Sequence, residues 1–237
     1  MKPWKIVETE ALPRGGELQL VSHDTDWVIR VNGRDLMNSR QHASEEAMAE
    51  FMFPEGAVPE DAKILIGGLG MGFTLRAVLD RLGPEGKVVV GELSEAIVRW
   101  NRGPLAELAG SPLEDPRVRL EQTDVRELLR PSGRYHAILM DVDNGPRALS
   151  ARTNASLYDE NGLAACWSAL RAGGTLVVWS AGPDERFRTR LERFGWDGVK
   201  ARTVAAFREG EKTGGRKHVL FIARRPLNPG PGRGRGR

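Results

Sequence analysis

The 237 residues hold a single cysteine, Cys166, so no internal disulfide can brace the fold. Its setting in "GLAACWSAL" reads as a buried helix, where a thiol packs rather than reacts. The four histidines, His23, His42, His136 and His218, are scattered without ligand spacing, and no metal site is expected. No apolar run approaches the roughly 20 residues that a membrane span requires. The opening "MKPWKIVETEALPRGGELQL" lacks the apolar core of a secretory signal, which makes a cytoplasmic protein without a membrane partner the expectation. No internal repeat is evident.

An excess of positive charge is present, but it is local. Lys and Arg number 35 against 32 acids, and the tail "PLNPGPGRGRGR" carries Arg233, Arg235 and Arg237 with no acid. The body is therefore neutral, the tail from 226 to 237 reads as a disordered Gly/Pro/Arg end, and no nucleic-acid partner is expected.

The remainder divides in two. "KIVETEA", "ELQLVS" and "DWVIRVNG" alternate apolar and polar residues, the pattern of a small antiparallel sheet. "SEEAMAEFMF" has helical spacing, with Ser44 as expected N-cap and Glu45 and Glu46 in the first turn, where the helix dipole favours acids. These segments make an N-terminal β annex with a helix over residues 1–58. From 59 to 225 short strands alternate with helices: "KILIG", "FTLRAVLDRL", "KVVVGE", "EAIVRWNRGPLAEL", "VRLEQTD", "YHAILMD", "GLAACWSALRAGG", "TLVVWSA". Such alternation predicts an α/β domain on a mostly parallel sheet. "VKARTVAAFRE" and "RKHVLFIARR" around "KTGG" predict a C-terminal antiparallel hairpin.

In parallel sheets ligands bind beyond the carboxyl ends of the strands, near the switch in strand order. After "KILIG" comes Gly68-Leu69-Gly70-Met71-Gly72, whose glycines permit a tight turn and close approach of a ligand to the backbone. After "KVVVG" comes Glu92, about 24 residues beyond Gly68, near the distance at which an acid reaches a ribose in dinucleotide folds. Asp124, followed by Val125, is placed to accept from an adenine amino group. Asp141 and Asp143 follow the next strand in "ILMDVDNGP". Phe73 stands where the dinucleotide fingerprint needs Gly or Ala, and no Gly-Lys-Ser/Thr follows. A nucleoside is the expected ligand, while nicotinamide dinucleotides and a phosphate loop are disfavoured. Each acid also has a plainer reading: Asp141 and Asp143 as turn caps before Asn144-Gly145-Pro146, Glu92 as a solvated surface acid.

With these motifs in place, the chain from about 26 to 224 resembles the spermidine synthase-like polyamine aminopropyltransferases, within the class I S-adenosylmethionine-dependent transferases. "GGLGMGFTLRAVL" is similar to the family's GGGDG segment with its following "LRE", and "SLYDENGLAACWSALRAGGTLVV" to the stretch after its D-x-x-D segment. The resemblance implies a Rossmann-like class I methyltransferase fold. It puts Gly68, Gly70, Met71 and Gly72 against the donor, Glu92 on its ribose, Asp124 with Val125 at its adenine, and Asp141 as base, with Asp143 the next candidate. The donor implied is decarboxylated S-adenosylmethionine, or S-adenosylmethionine itself, without a metal; the acceptor is a small amine. A homodimer is left open.

Three departures narrow that inference. The Asp of GGGDG is Met71, the second Asp of D-x-x-D is Asn144, and Ser44, Glu45 and Glu46 stand near the family's Tyr-His-Glu. Adenosine recognition is retained, while recognition of the transferred group and of the acceptor, in which Asn144, Glu45 and Glu46 are the candidates, is changed. Methyl transfer from S-adenosylmethionine and a non-catalytic nucleoside-binding protein are the alternatives.

Overall fold

A computed structural model describes residues 3–12, 15–54, 56–142, 146, 155–207 and 215–228. Asp143 and Asn144, and nine of the twelve tail residues, lie outside the described residues.

The N-terminal segments form the expected antiparallel sheet, in the order β1 (Lys5–Ala11), β2 (Glu17–His23), β3 (Asp26–Val31) and β4 (Arg34–Asn38). Strand β4 was not expected, because "RDLMN" is short and charged. The signal that reveals it is Asn32-Gly33: both residues have positive φ, as a two-residue hairpin turn requires. Helix α1 (Ala43–Glu50) follows, and here the structure corrects the sequence. His42, not Ser44, is the N-cap, without a side-chain capping bond. The helix begins two residues earlier than expected, so Ser44 falls inside it and its hydroxyl turns into the core.

The main sheet has seven strands in the order β10-β11-β9-β8-β5-β6-β7: β5 (Lys63–Gly67), β6 (Lys87–Gly91), β7 (Val118–Glu121), β8 (Tyr135–Met140), β9 (Leu170–Ser180), β10 (Asp197–Ala205) and β11 (Lys217–Arg224). The first five in sequence run parallel, and β10 and β11 add the antiparallel hairpin. Helices α2 (Phe73–Leu79), α3 (Glu95–Arg102), α4 (Val125–Leu128), α5 (Glu160–Ala169) and α6 (Glu185–Phe194) lie between strands. Helix α5 is shorter than "GLAACWSALRAGG" suggests, since β9 already begins at Leu170. Gly173 adopts φ +78, and a Cβ on Gly174 would lie 3.0 Å from the His136 carbonyl oxygen, so this backbone is pressed against its neighbour as strand.

One apolar cluster joins the two sheets, containing Leu18, Leu20 and Ile29 of the annex together with Met48, Ile64, Ile66, Val88 and Trp100. Strand order reverses between β5 and β8, so the crevice of the fold opens where Gly67 and Met140 end side by side.

Candidate active site

The glycine turn after β5 is held by main-chain bonds and by two side chains. Gly68 N–H donates to the Gly91 carbonyl at 2.9 Å, and Asp141 N–H donates to that of Gly67 at 2.8 Å. Gly68 has φ +90, and a Cβ there would lie 2.2 Å from the Asp141 carbonyl oxygen, a distance no side chain tolerates. Gly70 and Gly72 also have positive φ. Asn101 of α3, only 4% exposed, donates through Nδ2 to the Gly70 carbonyl at 2.8 Å and to that of Ile97 at 2.9 Å. Sequence reasoning missed Asn101, whose signal is a buried amide on an otherwise apolar helix face. It also missed Met37 of β4, whose Sδ would lie 3.4 Å from a Cβ on Gly70.

Glu92 stands at the tip of β6 and ties the turn down: Leu69 N–H donates to Oε2 at 2.9 Å and Ser94 N–H to Oε1 at 2.8 Å. Beside it Leu93 is 72% exposed, an apolar side chain left at the rim. Asp124 caps α4 by accepting from Arg126 N–H at 3.0 Å, and the Arg126 guanidinium holds its carboxyl below the ordinary range. An adenine amino group at Asp124 would therefore share its oxygens with Arg126. Val125 is buried, its Cγ2 3.1 Å from where a Cβ on Gly67 would be. Met71 is 3% exposed and packs in the core, so it brings no charge to the turn.

Asp141 directly follows β8 opposite the turn. Thr74 of α2, itself buried, donates its hydroxyl to Asp141 Oδ2 at 2.7 Å. Burial pushes the Asp141 carboxyl up to about 6. Glu45 reaches the same neighbourhood from α1. Its carboxyl is pushed up to about 8, first by burial and then by the charge of Asp141. Such a pair titrates as a unit, and near neutrality it carries one proton between two carboxyls. The charge of Asp141 thus acts on Glu45 across the fold. Glu46, in contrast, pairs with His42 Nδ1 at 3.0 Å, while the His42 ring stacks on Phe73 at 4.1 Å. Among the described residues no group of His, Cys, Asp and Glu could hold a metal ion, and no helix is long and apolar enough to cross a membrane.

No family model matches the chain. It is 31% identical over 121 residues to a polyamine aminopropyltransferase of Korarchaeum cryptofilum (strain OPF8), covering 51% of this chain and 36% of that one. It is 32% identical over 129 residues to putrescine N-methyltransferase 4 of Nicotiana tabacum, covering 53% and 31%. The chain thus spans about a third of the length of these curated relatives. Its fold matches the spermidine synthase from Thermotoga maritima with a TM-score of 0.69 at 18% identity, covering 94% of this chain and 74% of that one. It also matches a spermidine synthase in complex with the transition state analogue AdoDATO, with a TM-score of 0.72 at 20% identity, covering 94% and 75%. The chain is spermidine synthase-like in fold, and similar over half its length to a polyamine aminopropyltransferase.

Proposed function

We propose that the chain is a transferase moving an aminopropyl group from an S-adenosylmethionine-type sulfonium donor to a small amine. The observation that carries this reading is Asp141, its charge acting on Glu45, beside a glycine turn clasped by Glu92 at the reversal of strand order. The adenosine lies along the turn, its ribose hydroxyls toward Glu92 and its base toward Leu93, Val125 and Asp124. The curated aminopropyltransferase relative and the spermidine synthase fold support the assignment.

The chemistry asks for a base. An alkylammonium has no lone pair, so the acceptor must lose a proton before its nitrogen attacks the carbon beside the sulfonium. As the C–N bond forms, the C–S bond breaks and its electron pair returns to sulfur, releasing a neutral thioether. Asp141 is ionised above about pH 6 and takes the amine proton, while its negative charge keeps the cationic acceptor near the sulfonium. Thr74 holds the Asp141 carboxylate in place. In this reading Asp143 remains the next candidate base and Asn144 a candidate for the acceptor.

Methyl transfer from S-adenosylmethionine is the second reading, favoured by Met71 and by the N-methyltransferase relative. A neutral turn neither attracts the ammonium of the decarboxylated donor nor repels the carboxylate of the other. Because Met71 is buried, an added carboxylate there would unsettle the core, so wild type is the better subject. Calorimetry with both donors, followed by mass analysis of a polyamine acceptor, separates the readings by which group is transferred. Failure to bind either donor would remove both.

A further inference from the structure

Ser44 Oγ is the hub of a buried cluster drawn from three parts of the chain. It lies 3.0 Å from Trp179 Nε1 on β9, 2.8 Å from His218 Nδ1 on β11, and 2.5 Å from Oε2 of its neighbour Glu45. Ser44 is 0% exposed and His218 5%. The indole N–H can only donate. A hydroxyl donates once and accepts twice, so of His218 and Glu45 one receives the serine proton and the other gives one.

Two arrangements satisfy the serine hydroxyl. In the first, protonated Glu45 donates to Ser44, and Ser44 donates to an unprotonated His218 Nδ1, the imidazole carrying its hydrogen on Nε2. In the second, ionised Glu45 accepts from Ser44, and His218 donates to Ser44 from Nδ1. The imidazole is neutral in both, consistent with burial, aided by Arg216, pushing its pKa down to about 4. One arrangement becomes the other by three short proton moves: from Glu45 to Ser44, from Ser44 to His218 Nδ1, and from Nε2 outward. One proton leaves Glu45, one leaves the imidazole at Nε2, and neither the serine nor the imidazole changes its charge.

We infer that Glu45, Ser44 and His218 form a proton relay that carries the acceptor's proton away from Asp141 and releases it at His218 Nε2. This rests on the transferase reading, in which Asp141 receives that proton. Glu45 is the bridge: its Oε2 bonds the serine hydroxyl, and the charge of Asp141 acts on the same carboxyl. Ser44 and His218 are positioning residues, acting through Glu45. The charged groups acting on the cluster are Asp141 from the end of β8, Glu46 on α1 and Arg216 beside β11.

The test reads the hydrogen position on His218 directly. In the full chain labelled with ¹⁵N-histidine and ¹³C-carboxyl glutamate, without ligand, the His218 tautomer is followed from pH 5 to 10 together with the Glu45 carboxyl. The relay expects the hydrogen to move from Nε2 to Nδ1 at the midpoint of the Glu45 titration. It expects the Glu45→Gln chain to show a pH-independent tautomer, and Ser44→Ala to leave the Glu45 titration without an echo at His218. His218→Phe removes the competing acceptor, frees the serine hydroxyl for the carboxylate, and should raise the Glu45 ionisation constant about tenfold, the worth of one hydrogen bond. A tautomer that stays constant while Glu45 titrates overturns the relay, as does an echo that survives Ser44→Ala. Because these signals need no donor, they decide the relay even if neither sulfonium binds and the transferase reading falls.

Discussion

The two ends of the parallel sheet differ in charge and in how that charge is held. Around the carboxyl ends of the strands stand Glu92, Asp124 and Asp141, with Glu45 brought alongside; there burial raises the pKa of Glu45 and Asp141. Around the opposite ends a shallow cavity of about 340 Å³ is lined by Lys63, Lys87, Arg117, Arg119 and Arg134. Two of those cations are answered by ordinary neighbours, Arg117 by Asp115 at 2.6 Å and Arg119 by Glu121. The comparison separates charge answered by an opposite charge, as where Arg117 holds the Asp115 carboxyl down to about 2, from carboxyls withdrawn from water without one. An exposed pair such as Arg119 with Glu121 contributes little. A withdrawn carboxyl has its proton affinity set by every group around it, which is the property a base for ammonium chemistry requires.

The sharpest way to break the comparison is at Asp141. Asp141→Asn keeps the shape and can still accept from Thr74 but cannot take a proton, so turnover should fall about 100-fold or more with donor affinity little changed. Single-turnover kinetics beside donor calorimetry checks this, and full activity would move the base elsewhere. Next comes Glu92→Ala, which frees the Leu69 and Ser94 amides and removes the proposed ribose partner. Donor affinity should drop about 10- to 100-fold, as expected for losing hydrogen bonds to a charged group; an unchanged dissociation constant would remove Glu92 from the site.

A smaller effect concerns stability. Glu45 and Asp141 hold protons in the folded chain that the unfolded chain has lost, over a window from about pH 4 to about pH 8. Stability contributed by these raised values is present at acid pH and lost as pH rises through that window. Glu45→Gln removes one of the two ionisations, so its melting temperature relative to wild type should rise with pH, by at least about 2–4 °C at pH 9, the shift that 1 kcal/mol makes in a domain of this size. Scanning calorimetry at pH 5 and pH 9 measures it, and a constant difference would count against the coupled pair. The smallest effect sharpens the contrast from the other end: Lys87→Gln, at an exposed strand start, should alter melting temperature and donor affinity by less than the scatter of either assay.

What was legible in the sequence is what repeats locally. Strand and helix alternation, the glycine turn, and acids at strand ends each lie within a short window, so Gly68, Glu92 and Asp141 were found in order. What escaped depends on residues distant in sequence. Ser44 carries the composition of a cap, and only the packing of β9 and β11 against α1 shows that its hydroxyl bonds Trp179 and His218 instead. Glu45 reads as an acid favoured by the helix dipole, and its interaction with Asp141 exists only once the annex helix lies over the sheet. Asn101 and Met37 come from separate elements, and their closeness to Gly70 exists only in the folded chain.

The contact at Gly68 bears on how such a site can change over many generations. A methyl group there would occupy the space of the Asp141 carbonyl, so position 68 admits a single residue type while the strands keep their spacing. Position 71 lacks that backbone restriction, but its side chain leaves the turn for the core, which confines it to apolar residues. On the proposed reading, a lineage can therefore exchange the group it transfers by altering side chains on the acceptor side, without passing through a form that has lost the turn. Variation across relatives should concentrate around the acceptor, stay apolar at 71, and vanish at 68.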